Sequence, residues 1–229
     1  MVWQPRSNQA AWIKAGLFAL CLVPLARLLY GGFANALGAN PIETITRSTG
    51  WWTLFLLMAT LSVTPSRRWT GANWLLKLRR MLGLFAFFYA STHFITFVWF
   101  DHWFDAGEIL KDVVKRPFVT VGFAALLLFL PLAFTSTNAM VRKLGRNWQR
   151  LHRLIYAIAI LGVIHFWWLV KRDVTEPLVF ALVLAVLLGT RLIWRAREAR
   201  TAGQPAHAAK ACPLLRRSAH RRSAERQSG

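Results

Sequence analysis

The sequence predicts an all-α integral membrane protein, a bundle of six transmembrane helices. Three observations point there. Hydrophobic residues make up 55% of the 229 and charged residues only 17%, against about 25% in ordinary soluble domains. The apolar residues fall into runs about as long as a bilayer is thick, about 20 residues in a helix. The basic residues behind the net charge of +20 gather at the ends of those runs, as membrane topology requires. No basic stripe lies on a folded soluble domain, which excludes nucleic-acid binding.

Six candidate spans follow one another. The first covers Ala11 to Tyr30, and its Pro24 is expected to kink the helix without ending it. It lacks a small-residue cleavage site and reads as a retained span rather than a signal peptide. The next stretch, GGFANALGANPIETITRSTG, is rich in Gly, Asn and Pro and reads as a loop. The second span, Thr49 to Thr64, is short enough to need tilt or snorkelling flanks, and Trp51 and Trp52 suit an aromatic belt. The third runs from Arg80 to Phe100, the fourth from Phe118 to Phe134, the fifth from Trp148 to Val170 and the sixth from Pro177 to Trp194. The expected organisation is thus an N-terminal segment, 1–10, a six-span domain, 11–196, and a basic tail, 197–229. The tail is expected to be disordered beyond about Gly203. Cys21 and Cys212 offer neither a disulfide framework nor a CxxC metal site.

Loop charge sets the orientation. Arg67, Arg68, Lys77, Arg79 and Arg80 lie between spans two and three, and Arg142, Lys143, Arg146 and Arg150 between four and five, with no acid in either stretch. The other connections mix signs: Asp101, Asp105, Glu108 and Asp112 offset Lys111, Lys115 and Arg116. Basic loops face the cytoplasm, so both termini of this multi-pass protein are expected there.

Ionisable side chains inside spans are costly and mark function. His93 lies in the third span, His152 and His165 near opposite ends of the fifth. The last two are thirteen residues apart, roughly 20 Å of helix. With this orientation His93 and His165 share a depth on different helices, the arrangement that clamps a haem between helices three and five. Two histidine ligands leave no open position on iron, which suits electron transfer. His152 has no histidine at its own level; Arg79 is there, on the same face of the third span as His93. A guanidinium is not an iron ligand, so Arg79 is assigned an electrostatic role towards haem propionates, a quinone or flavin group, or anionic membrane lipid. At ideal pitch His152 and His165 point about 140° apart, so stacking two haems on one face needs a distorted helix, and Gly162 is a place for it. A hydrogen-bonded packing histidine is the rival reading of His152. His102, in FDHWFD, reads as a solvated loop residue, as do His207 and His220 in the tail.

Three rivals stand beside a haem electron-transfer subunit. One is a ferric-reductase-type transmembrane reductase or superoxide generator, which needs a flavin domain. Another is a proton channel or transporter relaying through the histidines, titrating near neutral pH. The last is an anchor for a partner, with no redox role.

Three stretches carry a resemblance: GANPIETITRSTG, RRMLGLFAFFYASTHF and LAFTSTNAMVRKLGRNWQRLHRLIYAIAILGVIH. They resemble the MsrQ (YedZ) family, haem-binding membrane subunits of the bacterial periplasmic methionine sulfoxide reductase system, within the wider ferric-reductase-like transmembrane group. The resemblance covers Trp12 to Arg195. It implies haem b, with His93, His152 and His165 as iron ligands. Arg79 stands where the wider group has a fourth histidine, so one haem is expected and a second is left open. FMN is implied too, although no glycine-rich phosphate loop occurs. The implied role is to carry electrons from the quinone pool or a cytoplasmic flavin reductase to MsrP, a soluble periplasmic molybdopterin enzyme. MsrP reduces methionine sulfoxide, repairing reversible oxidative damage, so the sulfoxide chemistry is expected on the partner and not on this chain.

Overall fold

In hydrocarbon every backbone N–H and C=O must be satisfied internally, and for a chain this apolar that leaves helices or a closed barrel. The computed structural model describes residues 7–170 and 173–202, and every regular element among them is helical. In order they are α1 (Ser7–Phe33), α2 (Pro41–Thr70), α3 (Leu76–Thr96), α4 (Ala106–Lys115), α5 (Pro117–Phe134), α6 (Asn138–Leu144), α7 (Arg146–Leu151), α8 (Leu154–Leu169) and α9 (Thr175–Ala202). A tight turn, Asn73–Leu75, leads into α3, and a π-helical turn, Phe97–Asp101, closes it. The described chain divides into two units, one up to Leu187 and one from Leu188 onward. The site and its supports belong to the first; the second begins within α9. Because α9 continues to Ala202, residues 197–202 of the expected tail are helical. The rest of that tail, with His207, Cys212 and His220, lies outside the described residues.

Five of the described helical stretches are long and apolar enough to cross a membrane: Asn8–Phe33, Asn73–Asp101, Pro117–Phe134, Arg146–Leu169 and Thr175–Thr201. They match five of the six expected spans. The other, α2, has 30 residues, about 45 Å of helix, but too little apolar character to join that set. Its position explains the composition. Leu54, Leu57 and Leu61 are buried, and so are Thr49 and Thr60. The hydroxyls of Thr49, Thr53 and Thr60 donate to the carbonyls of Ile45, Thr49 and Leu56 at 2.8, 2.9 and 2.7 Å. A threonine that bonds its own helix leaves no unmet polar group inside the bundle.

The structure corrects the expected loop over residues 31–50. Only a short turn separates α1 from α2, which starts at Pro41. Asn40 caps it, its Oδ1 accepting from Glu43 N–H at 3.3 Å, while Asn40 Nδ2 donates to Glu43 Oε2 at 3.3 Å. Asn, then Pro, then Glu three positions after the cap is a helix-start signal, here hidden in loop-like composition. The connection after α3 also holds an unexpected helix, α4. Asp105 caps it by accepting from Gly107 and Glu108 N–H at 2.8 and 3.1 Å. His102 is not solvated there. Its side chain is only 11% exposed, with Nε2 3.2 Å from Asp112 Oδ2 and its ring 4.6 Å from that of Phe97.

Packing is pairwise. α2 lies along α3 and α5 along α8, and the pairs meet where α3 touches α5 and α2 touches α8. Gly162, the expected site of helix distortion, is regular. A Cβ there would sit 3.0 Å from Leu54 Cδ2, so the glycine lets α8 approach α2. The distortion falls instead at His152 and Arg153, where the expected single helix breaks into α7 and α8. Tight bonds replace the regular ladder across the join, including Arg153 N–H to Arg150 O at 3.2 Å and Tyr156 N–H to Arg153 O at 3.1 Å.

α1 is held at its proline. Pro24 interrupts the helix ladder, and the fully buried Tyr89 of α3 repairs it. Its hydroxyl donates to Cys21 O at 2.8 Å and accepts from Leu25 N–H at 3.2 Å. A side chain inserted between a carbonyl and the amide four residues on fixes a kink. Tyr89→Phe is expected to cost about 1–2 kcal/mol by leaving both groups without that partner. Denaturant unfolding of the detergent-purified protein, followed by circular dichroism, measures the loss.

Candidate functional site

The site grows from two helix turns of the same design. On α2 the carbonyl of Thr46 lies one turn before Gly50; on α5 the carbonyl of Phe118 lies one turn before Gly122. His93, from α3, brings Nδ1 within 2.9 Å of Thr46 O. His165, from α8, brings Nδ1 within 2.7 Å of Phe118 O. Each carbonyl belongs to a helix turn and also receives an imidazole, and the missing side chain opens the way. A Cβ on Gly50 would stand 3.1 Å from His93 Cε1, and one on Gly122 only 2.7 Å from His165 Nδ1. Thr49 adds a hydroxyl 3.4 Å from His93 Nδ1.

These bonds fix the tautomer. A carbonyl only accepts, so each Nδ1 carries the proton and donates it, which leaves the lone pair on Nε2. Backbone carbonyls commonly orient metal-binding histidines in this way. Neither Nε2 makes a hydrogen bond among the described residues. The two rings approach edge-on, with centroids 6.1 Å apart and planes at 82°. Metal–imidazole bonds are about 2 Å. Adding a ring radius of about 1 Å on each side puts two imidazoles that flank one metal about 6 Å apart, which is the separation found. No group of three His, Cys, Asp or Glu side chains able to hold an ion occurs among the described residues. A bare ion would therefore find only two protein ligands, whereas a porphyrin iron supplies its own equatorial nitrogens. The donor set fits haem.

His152 sits at the break between α7 and α8. Its Nδ1 donates to Trp148 O at 3.2 Å, its ring stacks on Trp148 at 3.9 Å, and Trp148 Nε1–H donates to Thr135 O at 2.9 Å. Nε2 is buried and makes no hydrogen bond of good geometry among the described residues, although the Leu132 carbonyl also lies within reach of the ring. The structure brings Arg79 into electrostatic range of this ring, as the sequence predicts from depth alone. The imidazoles of His93 and His165 thus approach each other, and His152 lies apart from them, within electrostatic range of Arg79.

Residues 49–163 match the model of the ferric reductase like transmembrane component family, a stretch that holds Gly50, His93, Gly122 and His152 and stops just short of His165. A protein of Herminiimonas arsenicoxydans is 56% identical over 197 residues, covering 85% of this chain and 90% of its own length. Proteins of Ralstonia nicotianae and Azospira oryzae are each 52% identical, over 92% and 86% of this chain and 96% and 85% of their own. All three are named protein-methionine-sulfoxide reductase heme-binding subunit MsrQ.

The chain belongs to the MsrQ family. No solved structure matches it. For an MsrQ chain the residues that sequence reasoning missed are the supports, Thr46, Gly50, Phe118 and Gly122. Their signal is a glycine on a neighbouring span at the depth of each histidine. Gly122→Ala is expected to break the His165 bond to Phe118, and Gly50→Ala to disturb His93 less, in the order of the 2.7 and 3.1 Å approaches. Imidazole nitrogen NMR of the labelled protein reads each ring separately; an unshifted His165 Nδ1 signal in Gly122→Ala would refute the account.

Proposed function

We propose that the chain is the haem-binding electron-transfer subunit of a methionine sulfoxide reductase system. The observation that carries this is the His93–His165 pair, 6.1 Å apart, each with Nδ1 committed to a backbone carbonyl. In the proposal Nε2 of His93 and Nε2 of His165 would hold one haem b between α3 and α8. Such a haem supplies a one-electron couple. The two histidines would leave no position for oxygen or a sulfoxide, and the carbonyls of Thr46 and Phe118 hold the rings in place.

His152 and Arg79 supply the second level. His152 would offer Nε2 to a second haem, and Arg79 would offer positive charge to its propionates. The break at His152 and Arg153 frees the ring from the direction that an unbroken helix would impose.

The basic end of the bundle is assigned to the cytoplasm, with both termini there and the membrane a bacterial inner membrane, following the charge of the loops. Electrons enter at that end from the quinone pool or a cytoplasmic flavin reductase. They leave at the other end, on the His93 and His165 side, to MsrP, the periplasmic molybdopterin enzyme. Converting a methionine sulfoxide to methionine and water takes two electrons and two protons, so a one-electron carrier is used twice for each residue repaired. FMN enters only as a reductant delivered from outside the bundle, because the sequence has no glycine-rich phosphate loop.

The test is a reduced-minus-oxidised visible spectrum of the detergent-purified protein. A low-spin b-type signal is expected, lost in His93→Ala and in His165→Ala, and reduced but not abolished in His152→Ala. Colourless protein from haem-replete cells would overturn the assignment and favour proton transfer through the same histidines.

A further inference from the structure

We propose that the groove between α1 and α3 is a binding site for one anionic phospholipid. Its phosphodiester is held by Lys14, Lys77 and Arg80, and an acyl chain lies along Phe18, Leu84 and Phe88. The groove has a volume of about 720 Å³ and is lined by two helical stripes. On α1 the stripe is Lys14, Phe18 and Leu22; on α3 it begins with Lys77 and Arg80 and continues through Met81, Leu84, Phe85 and Phe88. All three cations therefore lie at one end and everything beyond them is apolar. That order matches an amphiphile with a negative head and a hydrocarbon tail.

Dimensions and charge narrow the choice. Lys77 and Phe88 are eleven residues apart, about 16 Å along the helix, close to half of a hydrocarbon core of about 30 Å. The groove is thus as long as one leaflet is deep. Its floor is closed by the edge-on pair Phe18–Phe85, with ring centroids 5.1 Å apart. A recess of about 200 Å³ beside Ala10 and Ala11 opens on Lys14 and Lys77, with room for a headgroup. Neither lysine meets a carboxylate among the described residues, and α1 and α3 carry no acid. Arg80 is oriented by Asn138, whose Oδ1 accepts from Nη1 at 2.5 Å, which leaves its charge uncompensated. The apolar part has no hydrogen-bonding side chain for the carbonyls of a quinone or the ring of a flavin, whereas an acyl chain requires none.

Native mass spectrometry of the full-length protein tests this, with phosphatidylglycerol and phosphatidylcholine of the same acyl chains as probes. One phosphatidylglycerol per chain is expected to survive detergent removal in preference to phosphatidylcholine. The preference should fall about fivefold for each lysine removed, the usual effect of a cation at an anionic surface, so Lys14→Gln with Lys77→Gln nearly abolishes it. Lys111→Gln, at the opposite end, should leave it unchanged, and Leu84→Asn should weaken both lipids alike. Circular dichroism and gel filtration confirm that each variant is folded. Equal retention of the two lipids, or an undiminished preference in the double variant, would overturn the proposal. Displacement of the lipid by excess FMN or glycerol phosphate would overturn it too, by making the cations a site for soluble phosphates.

Discussion

The bundle depends on a hydrogen bond that an imidazole makes to a helix it does not belong to. A ring N–H in an apolar interior needs an acceptor or costs several kcal/mol, and in a helical membrane protein the acceptors are carbonyls bound into other helices. Reaching one means lying against a foreign backbone, and a Cβ one turn along blocks the approach. Gly50 and Gly122 remove that obstacle for His93 and His165. The bonds then tie α2 to α3 and α5 to α8, the same pairs that share the largest packed faces. Each ligand is thereby fixed by a helix pair, and the contact between pairs sets the separation of the two rings. The geometry of the centre is a property of the packing.

Much of this was legible in the sequence. The apolar runs gave five of the membrane helices, the first, fourth and fifth within three residues at each end, because a continuous apolar stretch has few other fates. The shared depth of His93 and His165 followed from loop charge and counting. The depth match of His152 with Arg79 followed likewise; the structure brings the rings of His93 and His165 together and sets Arg79 within electrostatic range of His152. Less legible were features in which polar residues serve the interior. The start of α2 looked like a loop because Asn, Pro and Thr are loop residues by composition, although Asn40, Pro41 and Glu43 also spell a cap. His102 looked solvated because its neighbours are charged, and one of them, Asp112, turned out to be its partner.

The break at His152 shows the limit of reading direction from ideal pitch. Counting residues put His152 and His165 on different faces, and the expected remedy was a bend at the glycine between them. The chain breaks at the histidine itself. Trp148, anchored to Thr135, stacks on the ring and accepts its Nδ1–H bond at the backbone carbonyl, and the next turn tightens to short-range bonds. Gly162 serves packing against Leu54. A glycine within a span is as often a place for close approach as a hinge, and only the neighbouring helix decides which.

The threonine-lined character of α2 bears on how the protein is made. Segments leave the insertion machinery into lipid according to their own apolar character, and α2 is the long helix least suited to enter alone. Its polar turns are tolerable only against α3 and α8. Lateral exit of α2 by itself is thus disfavoured, and it becomes favourable as part of a hairpin with α3. The helix that carries Gly50 and Thr46 should then settle only when its histidine-bearing partner is beside it. Assembly in that order would form the His93 bond as the hairpin enters the bilayer, before the C-terminal half of the protein has been synthesised.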